Sequence, residues 1–499
     1  MSTGARVVVP SGLEERALRG ALRTPVLRCG VGRDNAALAA SRLESAGAVA
    51  VAGIAGGVDP DLVTGDLVVA DRLLRADTGE MVRTLPAARM LTAALRARGL
   101  PARTGTLATA DHVVSDTAER ERLRALGACV VDMESAFVVP DDVPAAVVRV
   151  VADVAADPLL RVRTLGRVRR ALASLGGIGP VLDSWAAAVA ARKVLLAEPR
   201  SFCAGVERAI EVVERALELR GAPIYVRKEI VHNQHVVADL RRRGAVFVDD
   251  LDEIPTGATA VFSAHGVSPM VRTKATERGL DVIDATCPLV SKVHSEVRRF
   301  GDRGDTIIFI GHDGHEETEG TMGERPGQTV LVESAEDAAT VQVPDPEHVS
   351  YLVQTTLSVH EVEGIVEVLR GRFPKLSAPP SDDICYATTN RQEALAAVAN
   401  DADLVLVVGS QNSSNSRRLV ETSLRLGTPA HLVDDIDDVD LDWLAGVGTL
   451  GLTAGASAPQ TLVDEVVEAV GGLGPVDVQT RHLVSEDVRF TLPKEVRTA

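Results

Sequence analysis

The sequence predicts an α/β protein built largely on parallel sheets, and three observations predict it. Of its 499 residues 45% are hydrophobic and only 3% aromatic, and the apolar share is mostly Ala, Val and Leu, which suits strands buried on both faces. Short apolar runs recur, each followed by a loop of small polar residues and then an amphipathic stretch, the rhythm of strand, turn and helix. The length also exceeds that of one ordinary domain, so two or three hydrophobic cores are expected.

Residues 1–190 form the first expected domain. "GVGRDNAALAASRL" (30–43) reads as a glycine turn opening a helix, and "AVAVAGIAGGVDPDLVTGDLVVADRL" (48–73) as strand, glycine turn and strand. A lone glycine-rich turn is equally well explained as plain structure. "GPVLDSWAAAVAARK" (179–193) reads as a helix running into the strand "KVLLAE" (193–198). No Gly/Ser or Pro-rich linker intervenes, so a second domain, 191–499, is expected to follow a short connection.

In that second part the same phrase returns in "KVLLAEPRSFCAGVERAIEVVERAL", "ATAVFSAHGVSPMVRTKATERG", "DTIIFIGHDGHEETEG", "DADLVLVVGSQNSSNSRRLVETSLRLG" and "VGTLGLTAGASAPQTLVDEVVEAV". Strands alternating with helices at this spacing predict parallel sheets with right-handed crossovers. Ligands then bind at the carboxyl ends of the strands, and the unusual residues of this sequence stand there.

The net charge of −17 disfavours nucleic acid and anionic membranes as partners, and the shortage of aromatics disfavours base stacking, which leaves small-molecule chemistry. No signal-peptide pattern and no apolar run of about 18 residues occurs, so a cytoplasmic location without membrane spans is expected. Five cysteines, at 29, 129, 203, 287 and 385, make a poor disulfide framework and fit a reducing compartment.

Cys203 lies in "PRSFCAGVERA", where a helix begins; Cys287 follows the strand "LDVIDAT"; Cys385, in "SDDICYATTNRQEA", precedes a helical run. Their separations of 84 and 98 residues suggest three similar modules, each bringing one cysteine to a common centre. Helix N-termini lower thiol pKa values, and thiolates bind metal. Three thiolates could hold three irons of a four-iron cluster and leave the fourth open, whereas any one cysteine alone is better explained as a small buried hydrophobe.

Histidines follow the same placement: His232 in "VHNQHV", His265 in "SAHG" and His315 in "GHDGHEETEG", with Glu317 two residues on. "GSQNSSNS" (409–416) follows the apolar "DLVLVV", and "TAGASAP" repeats the arrangement around Ser457. Such serine turns are ordinary N-caps as well as anion cradles. Two of them beside histidine-bearing strand ends favour a phosphate or diphosphate pocket.

With "PIYVRKEIVHN", "FSAHGVS", "DATCPLVSKVH", "GHEETEGTMG", "QTTLSV" and "DDICYATTNRQ" added to these, residues from about 193 to 495 resemble the LytB-type 4-hydroxy-3-methylbut-2-enyl diphosphate reductases. The resemblance implies a three-lobed α/β fold around a central [4Fe–4S] cluster held by Cys203, Cys287 and Cys385. It implies that His232, His265, Ser413, Ser414, Asn415 and Ser457 hold a diphosphate, while His315, Glu317 and Thr355 surround the allylic alcohol. The implied reaction is reductive dehydroxylation to isopentenyl and dimethylallyl diphosphate, the last step of the methylerythritol phosphate route, with a ferredoxin or flavodoxin as electron donor. Glu317 is the one carboxylic acid in the right motif to donate the proton. Glu316 is a departure from the family's loop and is expected to matter little.

"VVDMESAFV" (130–138) and "VVRVVADVAADP" (147–158), with the glycine turns before them, resemble the purine nucleoside phosphorylase and nucleosidase superfamily. That resemblance implies Glu134 on ribose hydroxyls and Asp153 as the acid that protonates a leaving purine. A hopanoid-associated nucleosidase would place both halves in isoprenoid metabolism. Ala152 stands where that superfamily usually has serine, and the domain is short, so the nucleoside, and hydrolysis against phosphorolysis, stay open. The rival from another class is a non-catalytic iron–sulfur redox sensor with a nucleoside-binding domain, which needs neither Glu317 nor the Ser413-to-Asn415 turn.

Overall fold

In the computed structural model, residues 4–154 and 164–497 are described. The end of "VVRVVADVAADP", from 155 on, lies outside them. The chain divides into two compact units, one of Met1–Val194 with Asp435–Leu450 and Asp464–Gln479, the other of Leu195–Asp434 with Gly451–Val463 and Thr480–Ala499.

The first unit carries an eight-stranded sheet. Its path runs Val26–Arg28, Ala5–Val9, Ala48–Gly57, Ala128–Asp132, Ala102–Thr109, Leu67–Arg75 and Met81–Thr84. Strand Ala145–Asp153 pairs with Ala48–Gly57 in parallel and with Leu67–Arg75 antiparallel, so five of the strands close on themselves. Closure explains why Ala145–Asp153 is buried at all nine positions: neighbours on both edges and apolar layers on both faces leave none for water. The expected glycine-turn helix is Arg33–Ala40, and the two expected strands are Ala48–Gly57 and Leu67–Arg75, which lie apart in the sheet with Ala145–Asp153 paired to both.

Three further sheets follow from residue 192. One has the spatial order Ala245–Val248, Ile224–Arg227, Thr259–Phe262, Asp281–Asp284, all in parallel pairs. The second runs Thr329–Val332, Thr306–Ile310, Val349–Val353, also parallel. The third runs Ala430–Val433, Leu404–Val408, Thr449–Ala454, Arg192–Glu198, Val476–His482. Leu404–Val408 is apolar and buried at every position, as a strand covered on both faces must be. Three sheets bear out the three-lobed α/β expectation. Among the described residues no helix is long and apolar enough to cross a membrane.

Candidate active site

Each of the three cysteines caps a helix. Cys203 precedes Ala204–Arg220, Cys287 precedes Pro288–Asp302 with proline in the first turn, and Cys385 precedes Tyr386–Ala399. Proline suits that position, where its missing N–H has no partner to lose. The Cys385 N–H donates to the Thr355 carbonyl at 2.9 Å, tying this cysteine to the loop after strand Val349–Val353. All three cysteines line one cavity. Gly205 lets them approach: a Cβ there would lie 2.7 Å from the Cys287 Sγ and 3.8 Å from the Cys203 Sγ.

The sequence led us to expect helix starts to lower these thiols' pKa values. At Cys287 and Cys385 burial wins instead. It pushes the Cys287 thiol up to about 12, helped by Cys203 and Cys385, and the Cys385 thiol up to about 11, helped by Cys203. Thiolates crowded in a dry pocket repel one another, and a cationic centre reverses that balance. Three soft donors with no fourth protein thiol among them fit an iron–sulfur cluster with one iron lacking a protein ligand.

Glu317 is fully buried. Its Oε1 accepts the Thr355 N–H at 2.7 Å and its Oε2 the Thr355 hydroxyl at 2.9 Å. Burial still raises its carboxyl to about 7 against those bonds, so a proton is available there near neutral pH. His315 caps helix Glu316–Met322, its Nδ1 accepting the Glu317 N–H at 3.2 Å. That bond fixes the proton of the neutral ring on Nε2. Burial, then His265 and His232, hold the His315 imidazolium down to about 3.

Two serine turns meet in the same cavity and form its serine cradle. Ser413 caps Ser414–Arg425, and its Oγ lies 3.3 Å from the Ser457 Oγ, which donates to the His232 carbonyl at 2.9 Å. The Ser414 hydroxyl accepts from Thr356 at 3.0 Å. Asn415 accepts the Ala456 N–H at 2.9 Å and donates to the Thr388 hydroxyl at 3.2 Å, leaving one amide hydrogen for a ligand. Thr388 reaches the Cys385 sulfur in turn, hydroxyl at 3.0 Å and N–H at 3.3 Å. The cradle and one cysteine are therefore joined by a continuous chain of hydrogen bonds. His232, His265 and His315 sit ring to ring beside it, with centroids 4.1, 5.4 and 5.7 Å apart.

Every residue that the sequence assigned to the reductase site thus lines one cavity. The family described as LytB protein matches residues 194–471, more than half of the chain. The chain belongs to the LytB family. It is 58% identical over 324 residues to 4-hydroxy-3-methylbut-2-enyl diphosphate reductase 1 of Mycobacterium tuberculosis, spanning 64% of this chain and 98% of that protein. The reductase of Leifsonia xyli is 57% identical over 307 residues, 61% of this chain and 91% of its own length. Among solved structures, the E-1-hydroxy-2-methyl-but-2-enyl-4-diphosphate reductase from Plasmodium falciparum superposes with a TM-score of 0.59 at 39% identity, covering 62% of this chain and 97% of that one.

The LytB match leaves the chain before residue 194 unexplained, and there the phosphorylase superfamily matches residues 7–175. Glu134 and Asp153 line one cavity with Glu14, Asp132 and Arg120. Glu134 accepts the Gly32 N–H at 3.0 Å and an Arg149 N–H at 3.4 Å, so the glycine turn does meet it; burial raises its carboxyl to about 7. Asp153 is gripped by the buried guanidinium of Arg120, yet burial keeps its carboxyl above the ordinary range. The buried Ala152 offers no hydroxyl.

Sequence reasoning missed Glu14, Arg120, Glu229, Thr388 and Thr356. It set Glu316 aside as a departure, whereas Glu316 bonds His265 at 3.1 Å and Ser263 at 3.2 Å. The departure itself was the signal.

Proposed function

We propose that this protein removes the hydroxyl of 4-hydroxy-3-methylbut-2-enyl diphosphate reductively, giving isopentenyl and dimethylallyl diphosphate. The observation that carries the reading is the convergence on one cavity of three helix-capping cysteines, a buried carboxyl raised to about 7 and a cradle of serines and histidines. Identity of 57–58% with proteins named as this reductase, over nearly their whole length, supports it.

Cys203, Cys287 and Cys385 would hold a [4Fe–4S] cluster, which when bound supplies the electron pair and the Lewis acidity that allylic C–O cleavage requires. His232, His265, Ser413, Ser414, Asn415 and Ser457 bind and orient the diphosphate. His315 donates through Nε2–H toward the substrate. Glu317, aimed by both bonds from Thr355, carries the proton that leaves with the hydroxide as water. One further proton and two electrons complete the balance, the electrons coming from a ferredoxin or flavodoxin in the cytoplasm.

For residues 1–190, with the boundary near 190, we propose binding and cleavage of a nucleoside, Glu134 holding the ribose and Asp153 the departing base. The superfamily match over 7–175 supports this part.

The test is turnover: protein purified without oxygen and supplied with reduced viologen should convert the diphosphate alcohol to the two isomers. Absence of both products from iron-replete protein would overturn the reading.

A further inference from the structure

Two carboxylates that neither the sequence reading nor the proposed reaction uses stand behind the histidines of the cradle. Glu229 Oε2 lies 3.2 Å from His232 Nδ1, and Asn412 donates to that same oxygen at 2.8 Å. Glu316 Oε2 lies 3.1 Å from His265 Nδ1 and accepts from the Ser263 hydroxyl at 3.2 Å. The Asn412 amide nitrogen also lies 3.4 Å from His232 Nδ1, but its closer bond is the one to Glu229; a carboxylate on Nδ1 favours the ring's proton there, which leaves Nε2 of each neutral ring with a lone pair. Against a diphosphate oxygen, itself only an acceptor, that lone pair repels.

The rings stack with centroids 4.1 Å apart and planes 19° from parallel, so charge on both at once is disfavoured until an anion arrives. His315 stands edge-on to both, with His312 beyond it. Lys228 faces Glu316 and pairs with Glu319 at 3.6 Å. Burial, then His265, hold the His232 imidazolium below its ordinary pKa, while the neighbouring imidazoles keep Glu316 ionised down to about 2.

We propose that diphosphate binding is coupled to proton uptake at Nε2 of His232 and His265, and that Glu229 and Glu316 are the positioning residues that permit it. This rests on the diphosphate reading of the preceding section. Each ring takes one proton from solvent as the anion enters; Nδ1–H stays on its carboxylate, and Nε2–H becomes a charged donor to phosphate oxygen. No bond to carbon or phosphorus changes. The complex binds more protons than the free protein, so affinity falls as pH rises above the free-ring pKa, up to about tenfold per pH unit for each proton taken up.

The experiment is calorimetry of inorganic pyrophosphate binding to the full-length holoprotein, without oxygen or added divalent metal. Two buffers of different ionisation enthalpy count the protons, for wild type, Glu316→Gln and Glu229→Gln. Because the anion's own ionisation is common to all three, the difference between proteins is the readout. Wild type should take up more protons than either variant, by as much as one per altered dyad. Both variants should bind more weakly, with a flatter dependence of Kd on pH, while cluster absorbance stays unchanged. If one variant loses its cluster, the other dyad still reports.

Equal proton counts in all three would overturn the proposal and leave the diphosphate site standing. Binding that requires added Mn²⁺ or Zn²⁺ would overturn it in favour of a cation held by His232, His265 and Glu316, whose ligand atoms lie within 4.8 Å of one another. No pyrophosphate binding by wild type would remove the diphosphate reading and this proposal together.

Discussion

Replacing Glu317 by glutamine removes an acidic proton and little else. The amide oxygen still accepts the Thr355 N–H now made at 2.7 Å, and the amide nitrogen can donate to the Thr355 hydroxyl now at 2.9 Å. No contact to the serine turns is lost. Turnover should fall about 10²- to 10⁴-fold, the range for a lost general acid, or about 3–5 kcal/mol of transition-state stabilisation. KM should hold within a few-fold.

The pH behaviour gives a second check. Burial raises this carboxyl from 4.5 to about 7, so wild-type kcat should decline as pH rises through about 7, and the Gln variant should lack that decline. Between those two values the folded state binds the proton that the unfolded state has released. Stability therefore falls as pH rises through that window, by about 3 kcal/mol in all. Glutamine carries no such penalty, so at pH 8 the variant's thermal midpoint should equal or exceed that of wild type. The assay is anaerobic oxidation of reduced viologen by the substrate, with calorimetric melting beside it. A variant with near-normal turnover, or one keeping the alkaline decline, would refute Glu317 as the donor.

Gly205→Ala sets two effects against each other. Alanine favours the helix by about 1 kcal/mol, but its Cβ would sit 2.7 Å from the Cys287 sulfur, so iron content should drop severalfold without loss of helical circular dichroism; full iron occupancy would contradict the placement. If residues 1–190 cleave a nucleoside as proposed, Asp153→Asn should abolish release of its base, with reductase turnover unchanged, as chromatography of the freed base would show. Arg120→Met should remove the guanidinium that holds the buried Asp153 carboxyl and destabilise this part of the protein by about 3–5 kcal/mol, visible as an early melting transition.

The strands, the glycine-turn helix at 33–40 and the loop positions of the cysteines were legible because period and punctuation are local properties. So was the placement of the serine turns and histidines after apolar runs, which the fold brings to one cavity. What stayed hidden is tertiary pairing. Arg120 meets Asp153 across 33 residues, and Thr388 meets Asn415 across 27; nothing in either pair's spacing announces the contact. The thiols show a different failure: the helix-start rule was right about position, but burial, invisible in one sequence, outweighed the dipole at Cys287 and Cys385. Glu229 is an unremarkable acid in "RKEIVHN" until the fold turns it onto His232.

The central claim is that three cysteines from separate parts of the chain build one iron–sulfur centre. Its most direct measure is iron and sulfide per chain, after anaerobic purification, for wild type, Cys287→Ser and Cys129→Ser. Wild type and Cys129→Ser should carry about four irons each, and Cys287→Ser should lose most of its iron along with its visible absorbance. Unchanged iron in Cys287→Ser would contradict it.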